Sequence, residues 1–168
     1  MSSRPLELQH RLQPALLDRL TDEAPHERRE PLEARVIGKA QLRQAVLRDL
    51  TWLMNAVQPG SIDPLTRGHA ASSTLNFGLP TLSGSQASML HVGALEAAIR
   101  QAIVRFEPRI LPDSVSVHAV EFQSVLDTHN VIHIEIRGLL WSQPVPFELL
   151  IRTQLDLESG QVVVHEAY

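Results

Sequence analysis

The chain has 168 residues, 43% of them hydrophobic and none of them cysteine, and its 15 basic and 19 acidic side chains leave a formal charge of −4. That length suits one domain plus a tail, with apolar residues enough for a core. The composition excludes disulfide and thiolate chemistry, gives no general nucleic-acid footprint, and contains no apolar run near the roughly 18 residues of a membrane span.

Residues 1–35 make a poor core. Pro5, Pro14, Pro25 and Pro31 fall here, and most of residues 22–35 are charged. The first residues lack the basic-then-apolar plan of a signal peptide, and the absence of cysteine fits a reducing compartment. The reading is a flexible tail over 1–35 followed by one folded domain over 36–168. One patch of the tail is different. Leu12, Leu16 and Leu20 share a helical face, and Pro14 suits a first helical turn. Such a helix is too short to stand alone, so it is expected to order only on docking, on its own domain or, the favoured reading, on a partner through Leu16, Leu17 and Leu20.

From about Gly38 to Val57 the helical period is strong. Leu42, Val46, Leu50, Leu53, Met54 and Val57 form one apolar stripe, and Gln58-Pro59-Gly60 ends it. Trp52 lies off the stripe and reads as a core-edge residue, the favoured alternative, or as one at an interface. Residues 58–87 are rich in Pro, Gly, Ser and Thr without a phosphate-loop pattern. Leu75, Phe77 and Leu79 alternate, so they are expected to anchor a short strand or extended strap. Ser88 is a cap for a second helix to Phe106, with Val92, Leu95, Ile99, Ile103 and Phe106 on one face.

That helix stops at Phe106-Glu107-Pro108-Arg109-Ile110. Proline pushes Glu107 out of the helical region and cannot continue the ladder. In an extended chain, Glu107 and Arg109 project the same way. They read either as a pair tied to each other or to the fold, or as a polar recognition site. Strands follow: Ser114–Phe122, with a phase change suggesting a bulge near Ala119-Val120; Val131–Trp141; Val145–Leu157, with Val145 inward; and Gln161–Tyr168 after a Glu158-Ser159-Gly160 turn. Short connections favour an antiparallel meander with one face covered by helices. The expected fold is therefore α+β, two main helices on one face of a roughly four-stranded sheet.

Catalytic chemistry finds little support. Glycosidase candidates are Glu107, Asp113, Glu121 and Asp127, and nothing in their spacing selects a pair. Glu107 stands two residues from a cation, which is wrong for a proton donor. His129 and His133 have ligand-like spacing, but they fall on a turn entering a strand and lack a third ligand. No catalytic residue, cofactor or metal is expected. The last strand has no Pro, Lys or Arg to blunt an edge, so Val162, Val163, Val164 and Tyr168 are candidates for pairing with a strand of another chain.

Four segments read together point to a family: Leu16–Leu20; Leu42–Leu50 with Leu53-Met54-Asn55; Leu75–Pro80; and Phe106–Ile110 ahead of the meander. The chain resembles the TssE family, baseplate subunits of the bacterial type VI secretion system, related to a wedge protein of contractile phage baseplates. The resemblance implies a non-enzymatic subunit that joins TssF and TssG in a wedge and seeds the contractile TssB/TssC sheath by strand exchange. It implies a cytoplasmic location, in a baseplate docked at the inner membrane complex without inserting itself in the membrane. It carries the family's assembly motif onto Glu107, Pro108 and Arg109. The wider family bears the label "lysozyme-like". A peptidoglycan hydrolase and a free-standing peptide-binding adaptor are the alternatives, separated by zymography and by co-purification with TssF and TssG.

Overall fold

The structure, a computed structural model, describes residues 14–21, 25–26, 37–59, 68–81, 92–120, 131–142 and 145–166. Three helices, α1 (Leu16–Leu20), α2 (Lys39–Asn55) and α3 (Val92–Phe106), precede four strands: β1 (Ser116–Val120), β2 (Val131–Leu140), β3 (Phe147–Asp156) and β4 (Val162–Glu166). The strands pair antiparallel in the order β1-β2-β3-β4, the expected meander. Strand alternation puts Ile134, Ile136, Leu149, Ile151 and Leu155 on one face, where they meet the buried stripes of α2 and α3. The fold is thus α+β, with α2 and α3 against one face of the sheet.

Both stripes have the expected residues at their centres and lose them at one end. Leu42, Val46, Leu50, Leu53 and Met54 of α2 are buried, as are Leu95, Ile99 and Ile103 of α3, whereas Val57 and Val92 are exposed. Val57 lies past the end of α2, where the backbone turns extended at Ala56 and bridges in parallel to Leu79. Ser88, the expected cap of α3, lies outside the described residues. Val145 also proves exposed, since β3 begins only at Phe147, while Thr153 takes an inward place on β3 at 1% exposure.

The strap is anchored differently from its alternation. Thr74–Asn76 is a 3-10 turn with Leu75 outward, so no strand forms there. Phe77 packs edge to face on Phe106, with centroids 5.3 Å apart, and Leu79 is buried. Leu79 N–H donates to Ala56 C=O, and Gln58 N–H donates to Leu79 C=O, both at 2.8 Å. Gly78 makes this approach possible. Its φ is 123°, and a Cβ there would lie 2.3 Å from the Ala56 oxygen.

The expected bulge sits elsewhere. Ser116 to Val120 pair with β2 one for one, without a phase change. The interruption comes earlier, where the 3-10 turn Pro112–Ser114 loops out between Ile110, bridged to Leu140, and Ser116, paired with Arg137. Ser114 fills the gap: its hydroxyl accepts from Leu139 N–H at 2.8 Å and donates to Leu111 C=O at 2.6 Å. Arg109–Leu111 is therefore a short forward extension of the β1 edge. Trp141 N–H donates to Arg109 C=O, and Leu111 N–H donates to Leu139 C=O. Gly138 belongs to the same device, because a Cβ there would come within 2.7 Å of Ile110 Cγ2.

Candidate interaction surfaces

Glu107, Pro108 and Arg109 sit where α3 hands over to the sheet. Glu107 N–H still donates to Ile103 C=O at 2.9 Å, closing the last turn, and Pro108 prevents another. The Glu107 side chain is buried, at 3% residue exposure. Its two carboxylate oxygens accept Nε and Nη2 of Arg109 at 2.6 and 2.5 Å, a bidentate fork, and the Arg109 backbone N–H adds a third bond at 3.2 Å. The parallel projection expected of residues 107 and 109 is realised as a pair closed on itself.

The pair extends across the molecule. Arg109 Nη2 also donates to Asp49 Oδ2 at 2.5 Å, and Asp49 Oδ1 accepts Arg48 Nε at 2.9 Å. Arg48 Nη1 then bonds Asp18 of α1. Five charged groups, Glu107–Arg109–Asp49–Arg48–Asp18, alternate in sign from the α3 terminus to α1. Burial opposes the charge on Arg109, but Glu107 and Asp49 together outweigh it and hold its pKa above the ordinary arginine value. Its hydrogen bonds to Asp18 and then to Asp49 raise the pKa of Arg48 likewise. The Arg48 bond holds Asp18 below the usual carboxylate range. Both tryptophans stand beside arginines of this chain of charges. Trp52, half exposed rather than tucked at a core edge, lies under Arg48 at 5.2 Å, and exposed Trp141 is bonded through its backbone to Arg109.

The helix expected at Leu16–Leu20 is present, but Pro14 stands one residue before its cap, Ala15. No residue of α1 is buried; Leu16 is 73% and Leu20 74% exposed, with Leu17 at 46%. Asp18 ties α1 to α2 by charge, and the leucines are left to solvent.

The two sheet edges are unequal. Asp156 N–H donates to Gln161 C=O across the β3–β4 turn. By the antiparallel alternation, Val163 and His165 then turn their backbone groups to β3, while Val162, Val164 and Glu166 turn theirs outward. Asn55 holds Val162 from the end of α2: its Oδ1 accepts Val162 N–H at 3.0 Å and its Nδ2 donates to Val162 C=O at 2.9 Å. Among the described residues none bonds the outward groups of Val164. Side-chain burial alternates accordingly, with Val162 buried, Val163 half exposed on the uncovered face and Val164 partly buried. Tyr168 lies outside the described residues. On the opposite edge, α3 reaches over β1: Glu96 Oε1 accepts Ala119 N–H at 2.7 Å, and Arg100 Nε donates to Val115 C=O at 3.1 Å. These contacts flank Val117, so another strand cannot pair there without displacing both.

Both oxygens of Glu107 are engaged by Arg109, Asp113 is exposed, and Glu121, Asp127 and His129 lie outside the described residues. Among the described residues no three His, Asp or Glu side chains are placed to hold a metal ion. On the uncovered sheet face Glu135 pairs with Arg137 at 2.6 Å and Arg152 at 3.5 Å, and the Arg137 hydrogen bond lowers its pKa first of all. His133 and His165 line the same shallow depression. On that face Glu135 is matched by both arginines. No contact role for Asp18, Asp49, Asn55, Glu96 or Arg100 was legible in the sequence, since each acts on a residue distant along the chain. The adjacent Arg48-Asp49, beside the apolar stripe of α2, was the one visible hint.

Comparison with protein-family models matches residues 40–145, more than half of the chain, to the family described as baseplate wedge protein gp25. Neither the curated proteins nor the solved structures yield a match.

Proposed function

Because this chain belongs to the baseplate wedge protein gp25 family, a family of structural baseplate proteins, we propose that it is the TssE-like subunit of a type VI secretion baseplate. In this reading it is not an enzyme. It joins the TssF/TssG wedge and seeds the TssB/TssC sheath, in a cytoplasmic baseplate docked at the inner membrane complex. No helix among the described residues is long and apolar enough to cross a membrane.

The observation that carries the reading is the outward backbone of β4 at Val164, which no described residue bonds, on a sheet whose other edge is covered by Glu96 and Arg100. An extended segment of another chain can satisfy those groups with little demand on side chains. We assign the wedge contact to Leu16, Leu17 and Leu20 together with the Glu107-Pro108-Arg109 joint. The support is that the charge chain links the two through Asp49 and Arg48, while the leucines stay exposed. The division into a tail over 1–35 and a domain over 36–168 is part of the same proposal.

Two proline variants test it on purified baseplates. Val164→Pro removes an outward N–H; it is expected to fold with a loss of no more than about 1 kcal/mol, yet fail to nucleate sheath. Val163→Pro removes an N–H that faces β3 and orphans a ladder carbonyl, an expected loss of about 1–3 kcal/mol. Sheath growth at the wild-type rate on folded Val164→Pro would remove β4 as the docking edge. Pull-down with TssF and TssG, using a Leu16→Ser/Leu20→Ser variant, tests the wedge half of the reading.

A further inference from the structure

The β4 edge has a weakness as a docking site. Val162, Val163 and Val164 are three identical side chains. A guest strand that slides by two residues keeps the same faces inward and outward, so side chains discriminate poorly between registers. Something other than the valines must fix where the guest begins.

Asn55 stands at that place. Its amide is fully committed: one Nδ2 hydrogen goes to Thr51 C=O at 2.8 Å, the other to Val162 C=O at 2.9 Å, and Oδ1 accepts Val162 N–H at 3.0 Å. The reversed amide would set its NH2 against a donor and its oxygen against two carbonyls, so the orientation follows from the partners. A side-chain amide bonding both N–H and C=O of one edge residue occupies the position a neighbouring strand's peptide would take. Pairing at Val162 requires breaking both bonds to form two of the same kind, without net gain. Pairing at Val164 displaces nothing among the described residues.

We propose that Asn55 is the register stop of the β4 edge: it closes Val162 to pairing and makes Val164 the first pair of an extended segment donated by another chain. This rests on the reading of β4 as a docking edge and adds which residue sets the guest's position. In an antiparallel pairing of this kind Val163 falls at a non-hydrogen-bonded site, where facing side chains approach most closely.

The absence of native cysteine supplies the test. Val163→Cys is placed in the full chain, alone and with Asn55→Ala. Each protein is equilibrated in a thiol–disulfide buffer with ten-residue Thr/Val alternating peptides that carry one cysteine at successive positions. With Asn55 present, one peptide position is expected to dominate the mixed disulfides. With Asn55→Ala, a second position two residues away should rise by roughly tenfold, the value of two ordinary hydrogen bonds regained at Val162. The same two-position pattern in both proteins would overturn the register stop while leaving the docking edge standing. No position-dependent coupling in either protein would overturn the docking edge, and the stop with it. Should Asn55→Ala unfold, amide exchange on the Asn55-containing chain decides. Val162 N–H is expected to be equally protected with and without saturating peptide, and Val164 N–H to slow only with it; protection of Val162 that changes on peptide addition would overturn the stop.

Discussion

β1 and β4 are both edge strands of one short meander, yet they are finished in different ways. On the β1 side, α3 lays Glu96 and Arg100 over the outward backbone, and the Arg109–Leu111 extension is locked by the fork from Glu107 to Arg109. On the β4 side, one amide from α2 holds one residue. An edge is open or closed according to what the covering helix brings to it, and β propensity does not reveal which. The charged residues that the family resemblance marks as an assembly motif lie on the closed side, where they also hold the fold.

The largest expected effect strikes the closed side. Arg109→Ala leaves Glu107 buried without its counter-ion, and breaking a buried pair this way costs about 3–5 kcal/mol. Partial exposure of Arg109, at 25% of its side chain, puts the expectation near the lower figure. Urea unfolding measures it; a loss below about 1 kcal/mol would mean that the joint behaves as an exposed surface pair. Because a change of this size affects wedge binding indirectly, binding to TssF and TssG is better read in Glu107→Gln, which keeps the shape and one acceptor.

An intermediate effect comes from opening the closed edge. Glu96→Ala with Arg100→Ala removes the bonds to Ala119 N–H and Val115 C=O. The expected cost is about 1–3 kcal/mol, and the double variant should also self-associate at high concentration through the uncovered edge. Light scattering beside thermal melting checks both. If the variant melts lower but stays monomeric, α3 itself covers the edge and the two side chains only reinforce it.

The smallest effect is local and depends on pH. Asp18 has its pKa lowered by Arg48, so the docking of α1 is present above the ordinary carboxylate value of 3.8 and is lost as pH falls through the lower folded value. Amide protection of residues 19–21 is expected to be steady from neutral pH to about pH 5 and to vanish well below pH 4, before the sheet unfolds. Asp18→Asn should show the loss at neutral pH. Unchanged protection in that variant would mean that packing, rather than charge, seats the helix.

Local periodicity gave away most of the architecture. The apolar spacings of residues 42–54 and 95–103 mark the buried faces of α2 and α3, and alternation in 132–136 and 147–157 marks the inner face of the sheet. Those patterns fail at Val57, Val92 and Val145, each near the end of an element, where neighbouring chain rather than period sets the backbone. Proline and the Glu-Pro-Arg order marked the joint correctly as a helix stop with two charges on one side. They carried no information on Asp49, because that contact spans 60 positions.

By itself, then, the sequence determined two helices, four strands and their meander order, since side-chain period and short turns act within a few residues. It determined the absence of thiolate chemistry by composition. Tertiary structure alone decided which edge is left unpaired among the described residues, which distant carboxylate joins Glu107 at Arg109, and where the first strand is interrupted. The physical reason is that each of these depends on hydrogen bonds between residues far apart in the chain, 107 positions in the case of Asn55 and Val162. A polar side chain's partner is fixed only when packing of the apolar stripes has set the elements side by side.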